Sequence, residues 1–211
     1  MNIGISQSVV KVESYEETRD TLDQRLIDWV VEADLIPVPI SNSLVDLDLS
    51  KNDQVVLDDW LQTLNICTLL LSGGNDIGAI PQRDLTENCL LSWAEKNRKP
   101  VLGICRGMQM MGVYAGGKLV EVNGHVRTRH QLEISDNNIN IFSESVNSYH
   151  SQVLQECPEV FDILAKSEDG NLEAMRHKEL PWEAWMWHPE REANFSKIHQ
   201  ERFKELVNSG K

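Results

Sequence analysis

The segment Pro100–Tyr114, PVLGICRGMQMMGVY, constrains the possible fold more than any other part of this chain. An apolar run ends in the pentapeptide GICRG, residues 103–107, and a helical pattern follows it. Glycines two residues before and two residues after a central residue are typical of the strained strand-to-helix turn that exposes a nucleophile. This interpretation puts Cys105 at the carboxyl end of a strand, where the dipole of the next helix favours the thiolate. A buried structural cysteine between small residues is the alternative.

The first half of the chain alternates short apolar segments with helical patterns. The predicted strands are Asn2–Ser6, Leu35–Ile40 and Ile66–Leu71, and the two prolines of the second favour an edge position. The predicted helices are Tyr15–Ala33 and Asp84–Lys96, and the acidic stretch Asp46–Asp59 is interpreted as a solvated loop and helix. This alternation predicts an α/β fold, in which helices cover both faces of a mostly parallel sheet.

The second half is less regular, and the sequence predicts only short strands there. They are Lys118–Glu121, Gln131–Ile134, Asn138–Phe142, Glu173–Arg176 and Trp182–Trp187. An amphipathic helix over Ser196–Val207 follows them. The length of 211 residues predicts a single domain, residues 1–211.

Composition excludes several classes of function. The formal net charge is -13, which argues against general nucleic-acid binding, because phosphates require a basic surface. The four cysteines, Cys67, Cys89, Cys105 and Cys157, show no CxxC spacing and no zinc-like clustering with the six histidines, so neither disulfides nor a metal site is expected. No apolar run approaches the roughly 18 residues of a membrane span, and no signal-peptide core follows Met1. A cytoplasmic protein without a membrane partner is therefore expected.

A glycine pair follows the predicted strand Ile66–Leu71 in the sequence Ser72-Gly73-Gly74-Asn75-Asp76. Ligands of parallel sheets collect beyond the carboxyl ends of the strands, so this loop and Cys105 are expected to face one site. The backbone amide of Gly74 could then join that of Arg106 in stabilising an oxyanion. An ordinary tight turn is the alternative interpretation.

The strand predicted near residue 187 ends in His188-Pro189-Glu190. An imidazole can take the proton of a thiol, and a carboxylate two residues on can orient the ring. A nucleophile followed much later by a histidine with an acidic partner is the chain order of nucleophile-elbow enzymes. A purely structural histidine is the alternative.

Ordered motifs along nearly the whole chain resemble one known family, the class I glutamine amidotransferase-like hydrolases, and within it the γ-glutamyl hydrolase branch, peptidase family C26. The motifs are GIS, LLLSGGND, Arg83-Asp84 with Glu87, PVLGICRGMQ, VNSYHSQ, EAMRHKE and MWHPER. The resemblance implies a three-layer α/β/α sandwich. It also implies Cys105 as nucleophile, His188 as base and Glu190 as its partner, without a cofactor.

The same resemblance implies further roles at the site. The amides of Gly74 and Arg106 would form the oxyanion hole, and Gly73 and Gln109 would contact the γ-glutamyl portion of a small-molecule substrate. Three residues of the segment VNSYHSQ would lie beside that substrate, namely Asn147, Ser148 and His150. For His150, a satisfied polar residue without substrate contact is the alternative.

The chain is short for this family and resembles a compact branch whose substrate is a nucleotide-linked γ-glutamyl phosphoramidate of capsule synthesis. The resemblance rests on LGICRG, on His125 and His130, on EA-x-x-HK and on MWH-x-ERE. In the segment HVRTRH, Arg127 and Arg129 could bind a diphosphate even though the protein is acidic. An exposed basic loop is the alternative.

Other functions stay open at this stage. The chain could hydrolyse γ-glutamyl amines or peptides in general, or it could act as a glutaminase subunit that supplies ammonia to a separate synthetase. A non-catalytic relative would require a degraded triad, whereas Cys105, His188 and Glu190 are all present. The sequence does not predict the oligomeric state.

Overall fold

The computed structural model describes residues 1–47, 51–135 and 141–210, with only the backbone at 51–55. The strands in these ranges are β1 Asn2–Ser6, β2 Ser8–Val12, β3 Glu17–Thr21, β4 Ile36–Ile40, β5 Ile66–Leu71, β6 Val101–Ile104, β7 Leu119–Glu121, β8 Val126–Ile134, β9 Ser145–Tyr149, β10 Gln152–Leu154, β11 Phe161–Ser167, β12 Leu172–His177 and β13 Trp182–Trp185. The α-helices are α1 Gln24–Glu32, α2 Lys51–Thr63, α3 Pro81–Lys96, α4 Arg106–Tyr114 and α5 Lys197–Asn208.

Nine of the described strands form one sheet in the order β4-β1-β5-β6-β13-β12-β11-β8-β9. The first five strands are parallel to their neighbours. From β13 onward each strand is antiparallel to the next. The predicted α/β fold with a mostly parallel central sheet is confirmed for the half that carries Cys105. The sequence predicted short strands in the second half but not that they extend the same sheet in an antiparallel arrangement.

Both faces of the sheet are buried, as β5 illustrates. Leu69 and Leu71 belong to a core that also contains α3 and α4 side chains, whereas Leu70 belongs to the core on the opposite face. The second core contains Trp29 of α1 and Phe203 of α5, whose rings stack 5.0 Å apart. Because successive residues of a strand point to opposite faces, the apolar run of β5 fills both cores. This packing produces the predicted three layers.

The helix predicted over Tyr15–Ala33 is wrong in its first half. Residues 17–21 form β3, which pairs with β2 in an antiparallel hairpin. Helix α1 begins only at Gln24, because the side chain of Asp23 accepts a hydrogen bond from the amide of Arg25 at 3.0 Å and caps the helix. The edge position predicted for the proline-containing strand is confirmed, since β4 lies at the end of the sheet.

In the second half, the structure supports most of the predicted strands and adds others. Strands occur at four predicted positions, in β7, β8, β12 and β13. For the fifth, Asn138–Phe142, residues 138–140 lie outside the described residues, and residues 141 and 142 are not in a strand. Strands β9, β10 and β11 were not predicted. Two of the expected site residues, Asn147 and Ser148, lie on β9, and a third, His150, directly follows it.

Candidate active site

The backbone places Cys105 in a strained conformation between β6 and α4. Its φ is 51° and its ψ is -105°, a combination that non-glycine residues rarely adopt. Gly107 is needed for close packing here, because a Cβ at this position would lie 2.2 Å from the carbonyl oxygen of Leu71. The strand-to-helix turn therefore holds the thiol at the carboxyl end of the parallel strands, at the first turn of α4.

His188 lies between Glu190 and Cys105. Its Nδ1 atom is 2.6 Å from Oε1 of Glu190, and its side chain also hydrogen-bonds Cys105. Burial by itself would lower the pKa of His188, but the negative charges of Glu190 and Cys105 and hydrogen bonds to both raise it from the ordinary 6.5 to about 10. An imidazole held in this way favours a thiolate–imidazolium pair.

This arrangement predicts how stability changes with pH. Glu190→Gln should lower the pKa of His188 towards 6.5, because the Glu190 carboxylate contributes most to raising it. A histidine whose pKa is higher in the folded state adds stability that is complete below its unfolded pKa of about 6.5 and is lost as the pH rises through about 10. The difference in free energy of unfolding between wild type and Glu190→Gln should therefore be largest near about pH 6 and shrink towards about pH 10.

Urea denaturation of both proteins across this pH range measures that difference. A difference that does not depend on pH would contradict the coupling between the two side chains. His177→Asn serves as a control of opposite sign, because His177 lies outside this contact chain and burial lowers its pKa, so its effect on stability appears as the pH falls below about 6.5 and not as it rises.

The glycine loop after β5 packs directly against the imidazole. A Cβ at Gly73 would lie 2.6 Å from Cε1 of His188, so only glycine fits at that position. Gly74 has a φ of +126°, which other residues rarely adopt. Arg106 is the first residue of α4, so its amide has no acceptor within the helix. The loop and the helix start thus flank the space around Cys105 and His188.

A buried charge network joins these two segments, and sequence reasoning did not assign it a role. Arg83 Nε lies 3.1 Å from Oε1 of Glu87, and the guanidinium of Arg106 binds both Glu87 and Asp84. The Nη2 atom of Arg83 also donates to the carbonyl of Gly73 at 3.0 Å. Breaking one partner of such a buried pair costs about 3–5 kcal/mol, because the other charge is left unpaired. The network therefore positions the glycine loop relative to α4.

Strand β9 contacts His188 from the other side. The side chain of Asn147 donates to the carbonyl of His188 at 2.7 Å and accepts from its amide at 3.0 Å. Asn147 also donates to Glu192 at 2.8 Å, and Glu192 pairs with Arg129 at 3.0 Å. Burial alone would raise the pKa of Glu192, but hydrogen bonds from Arg129 and Asn147 lower it. A continuous polar chain thus links Arg129 to His188.

The remaining predicted site residues lie in different surroundings. Gln109 donates to the carbonyl of Gln152 at 2.8 Å, and Ser148 donates to the carbonyl of His125 at 2.6 Å. Arg127 is exposed, sits at an irregularity in the β8–β9 pairing and has a φ of 56°. Within the described part of the chain, Arg127 forms no ion pair.

His150 is brought to a second polar centre. It lies with His125, His130 and Glu173 in a buried group whose possible metal-ligand atoms are all within 4.8 Å of one another. Sequence reasoning did not indicate a metal site, because these residues are spread over 49 positions of the sequence without a ligand spacing. Only the pairing of β8 with β9 and the sheet order bring them together.

The cavity next to His188 and Glu190 is small. It has a volume of about 100 Å³ and is lined by Gly73, Gly74, His188 and Glu190 among others. Cys105 itself is only 8% exposed. Two wider clefts, of about 560 and 570 Å³, are lined by none of these residues. Among the described helices, none has the length and apolar character that crossing a membrane requires.

Comparisons with known proteins point to one family. The family model of Peptidase C26 matches residues 2–190. Gamma-glutamyl-CDP-amidate hydrolase of Campylobacter jejuni is 28% identical over 210 residues, which cover 94% of both chains. The glutamine-hydrolysing subunit of GMP synthase from Methanothermobacter thermautotrophicus is 32% identical over 127 residues, 58% of this chain and 64% of its own.

A solved structure from Thermoplasma acidophilum, described as a candidate GMP synthase subunit, covers 100% of this chain and 94% of its own with a TM-score of 0.69. At 20% identity this likeness shows the fold alone. The family match shows more than the fold, since it extends from β1 to Glu190 and includes Cys105 and His188. The chain therefore belongs to the Peptidase C26 family.

Proposed function

We propose that the chain is a cysteine-dependent hydrolase that cleaves a γ-glutamyl amide bond and releases glutamate. The main support is the contact chain in which Cys105, at a left-handed backbone position, hydrogen-bonds an imidazole that Glu190 holds from the other side. A nucleophile, a base and an orienting carboxylate in this order suit acyl transfer. The Campylobacter jejuni relative is named as a hydrolase of a γ-glutamyl compound, in agreement with this chemistry.

The proposed reaction has two stages. His188 takes the proton of Cys105, the thiolate attacks the γ-carbonyl carbon, and the resulting oxyanion is held by the amides of Gly74 and Arg106. The tetrahedral intermediate collapses, the C–N bond breaks, and His188 gives its proton to the leaving nitrogen. A water molecule then loses a proton to His188 and attacks the γ-glutamyl thioester, which releases glutamate and restores the thiol.

The residues around the proposed triad either contact the substrate or position other residues. Gly73 and Gln109 contact the γ-glutamyl portion, Gly73 because it packs against the imidazole and Gln109 because it is on the helix that begins after Cys105. Asn147 is a positioning residue, since its amide holds the backbone of His188 through two hydrogen bonds. Ser148 lies one residue further, where its hydroxyl fixes the start of β8 by bonding His125.

The leaving group that we propose is a nucleoside diphosphate attached to the amide nitrogen. Such a substrate would belong to capsule or other surface polysaccharide modification. The name of the Campylobacter jejuni relative, Gamma-glutamyl-CDP-amidate hydrolase, supports this substrate class. Arg127 and Arg129 are the proposed phosphate contacts. Arg129 is linked to His188 through Glu192 and Asn147, so its guanidinium belongs to the same polar chain as the catalytic base.

Neutralising both arginines should therefore reduce activity on the nucleotide-linked substrate much more than activity on simple γ-glutamyl substrates. The double variant Arg127→Asn with Arg129→Gln should lower kcat/KM at least about tenfold for a γ-glutamyl nucleotide phosphoramidate, because each charge-assisted hydrogen bond contributes about 1.5–3 kcal/mol. Asparagine is chosen at position 127 because it tolerates the left-handed φ there. Hydrolysis of glutamine or of a γ-glutamyl alkylamide should change little, and added salt should weaken the preference for the nucleotide substrate.

The control is Arg98→Asn, which removes an exposed arginine just before β6, at the end of that strand opposite Cys105, and keeps a residue that tolerates the left-handed φ of 48° there. This variant should keep the substrate preference of the wild type. An equal loss on every substrate in the double variant would contradict phosphate binding by these arginines. A wild type that prefers simple γ-glutamyl alkylamines would replace the nucleotide proposal with a general γ-glutamyl amide hydrolase.

A second candidate function is a glutaminase subunit that supplies ammonia to a separate synthetase. It is favoured by the similarity to the glutamine-hydrolysing subunit of GMP synthase over 58% of this chain. The purified chain alone, offered glutamine, γ-glutamyl alkylamides and the nucleotide-linked substrate, distinguishes the two functions. Turnover of the nucleotide-linked substrate without any partner supports the hydrolase, whereas glutamine hydrolysis that requires a synthetase supports the subunit.

A further inference from the structure

Three histidines and one glutamate converge on a buried point away from Cys105. His125 precedes β8, His130 lies on β8, His150 follows β9 and Glu173 lies on β12. We call these four residues the histidine–glutamate cluster. The Nε2 atom of His150 is 3.6 Å from Oε1 of Glu173, and Nδ1 of His125 is 3.9 Å from the same oxygen. The donor atoms therefore face a shared space.

Six side-chain polar atoms of the histidine–glutamate cluster have no hydrogen-bond partner among the described residues. This applies to Nδ1 of His125, Nε2 of His130, both ring nitrogens of His150 and both carboxylate oxygens of Glu173. Glu173 is completely shielded from solvent, although part of His130 reaches the surface. Unpaired buried polar groups are rare, and an unpaired buried carboxylate is especially unfavourable. The ring nitrogens of His125 and His150 thus face the carboxylate of Glu173 at 3.9 and 3.6 Å without a hydrogen bond.

Asp169 orients one member of the cluster. Its Oδ2 atom accepts a hydrogen bond from Nε2 of His125 at 2.7 Å, and its Oδ1 atom accepts one from Ser167 at 2.6 Å. Because Nε2 of His125 carries the proton, Nδ1 presents a lone pair to the cluster. A carboxylate that holds the far nitrogen of a histidine in this way is the common outer support of a metal ligand.

The cluster also fills a particular place in the sheet. Strand β11 ends at Ser167, which pairs with Leu132 of β8. His130 lies two residues before Leu132 and so extends past the end of β11, while Glu173 is the second residue of β12. The histidine–glutamate cluster therefore lies near the end of β11, where His130 extends past that strand and Glu173 sits at an irregularity in the β11–β12 pairing.

We infer that the histidine–glutamate cluster binds one divalent transition-metal ion of the zinc type. Imidazole and carboxylate are suitable ligands for such ions, and Zn–N distances of about 2.0–2.1 Å bring tetrahedral ligand atoms to about 3.3 Å from one another. The ligand atoms now lie within 4.8 Å of one another, so binding draws the four side chains inward. Four protein ligands complete a tetrahedral shell, so the ion is structural and takes no part in hydrolysis.

The ion connects the outer strands to the segment after β13 that carries the proposed catalytic base, His188. The carbonyl of Glu173 accepts a hydrogen bond from the amide of Met186 at 2.7 Å, two residues before His188. His150 lies three residues after Asn147, which holds the backbone of His188. A metal bound to Glu173 and His150 therefore fixes both segments that support His188.

Zinc titration of the metal-free chain tests this site. The Cys105→Ala background is used throughout, because the thiol could bind zinc by itself. We expect one zinc ion per chain and a rise in Tm on binding. His130→Asn and Glu173→Gln should each weaken zinc binding at least about 100-fold, because ligand loss exceeds the effect of losing an outer support. Bound cobalt should show the visible bands of a tetrahedral site without a thiolate charge-transfer band.

His177→Asn is the matched control, since His177 lies on the same strand as Glu173 but outside the histidine–glutamate cluster. It should bind zinc as the background protein does. His130→Asn changes a partly exposed residue and keeps the test valid if Glu173→Gln does not fold. The inference is overturned if the metal-free chain binds less than one equivalent of zinc at micromolar concentration, or if His130→Asn binds zinc with unchanged affinity.

Discussion

Cys105→Ala should abolish hydrolysis of every γ-glutamyl substrate while the protein stays folded. We expect kcat/KM to fall by at least about 10⁴-fold, because removing the nucleophile of such a triad eliminates the covalent step and leaves only the binding and oxyanion contacts. The Tm should change little, because alanine fits the space of a small side chain that is almost fully buried. Steady-state kinetics and thermal denaturation measure the two effects.

Cys89→Ala is the matched control for this substitution. Cys89 is also buried, but it lies on α3 in the core between helices and sheet. The control should keep its catalytic rate and lose some stability through a small cavity. Turnover by Cys105→Ala at the wild-type rate would show that Cys105 has no chemical role.

His188→Ala should be almost as severe as the loss of the thiol. The imidazole both takes the proton from Cys105 and returns it to the leaving nitrogen, so its loss should lower kcat by at least about 10⁴-fold at saturating substrate. Glu190→Gln should leave a measurable rate, because glutamine keeps the shape of the side chain and its oxygen can still accept from Nδ1 of His188. The order of severity distinguishes the proton carrier from the residue that orients it.

Two results would contradict this assignment. Full activity of His188→Ala would show that another group removes the thiol proton. A loss in Glu190→Gln that equals the loss in His188→Ala would show that the two residues do not have separate roles. Asn147→Asp gives a further comparison, since it removes the amide that donates to the carbonyl of His188 without touching the ring.

The parallel half of the fold could be predicted from the sequence because its signals are local. The continuous apolar run of β5 requires burial on both faces, and the glycine spacing around Cys105 requires a sharp turn. The N-terminal hairpin was missed, because the predicted helix was extended back to Tyr15, whereas Asp23 caps α1 so that it begins only at Gln24. Strand β11 was missed for another reason: Asp162 and Lys166 interrupt its apolar pattern, and its pairing depends on distant strands.

Part of the site could likewise be predicted from the sequence, and part could not. Chain order and residue type predicted Cys105, His188 and Glu190 as one group, and the structure places His188 in contact with the other two. The support given by Glu87 to Arg106 could not be predicted from spacing, because a charged helix residue is usually solvent-exposed. The histidine–glutamate cluster depends on strands that are far apart in the sequence, so only the sheet order brings its members into contact.

The chemical identity of the nucleophile is tested most directly by labelling with a glutamine-shaped chloroketone, followed by peptide mass spectrometry. The reagent places an electrophilic carbon where the γ-carbonyl of a substrate would lie, so it should react with the thiol that faces that carbon. We predict one adduct per chain, located on Cys105, with complete loss of activity and protection by substrate. Faster labelling of Cys67, Cys89 or Cys157, or full activity after Cys105 has been labelled, would contradict the account.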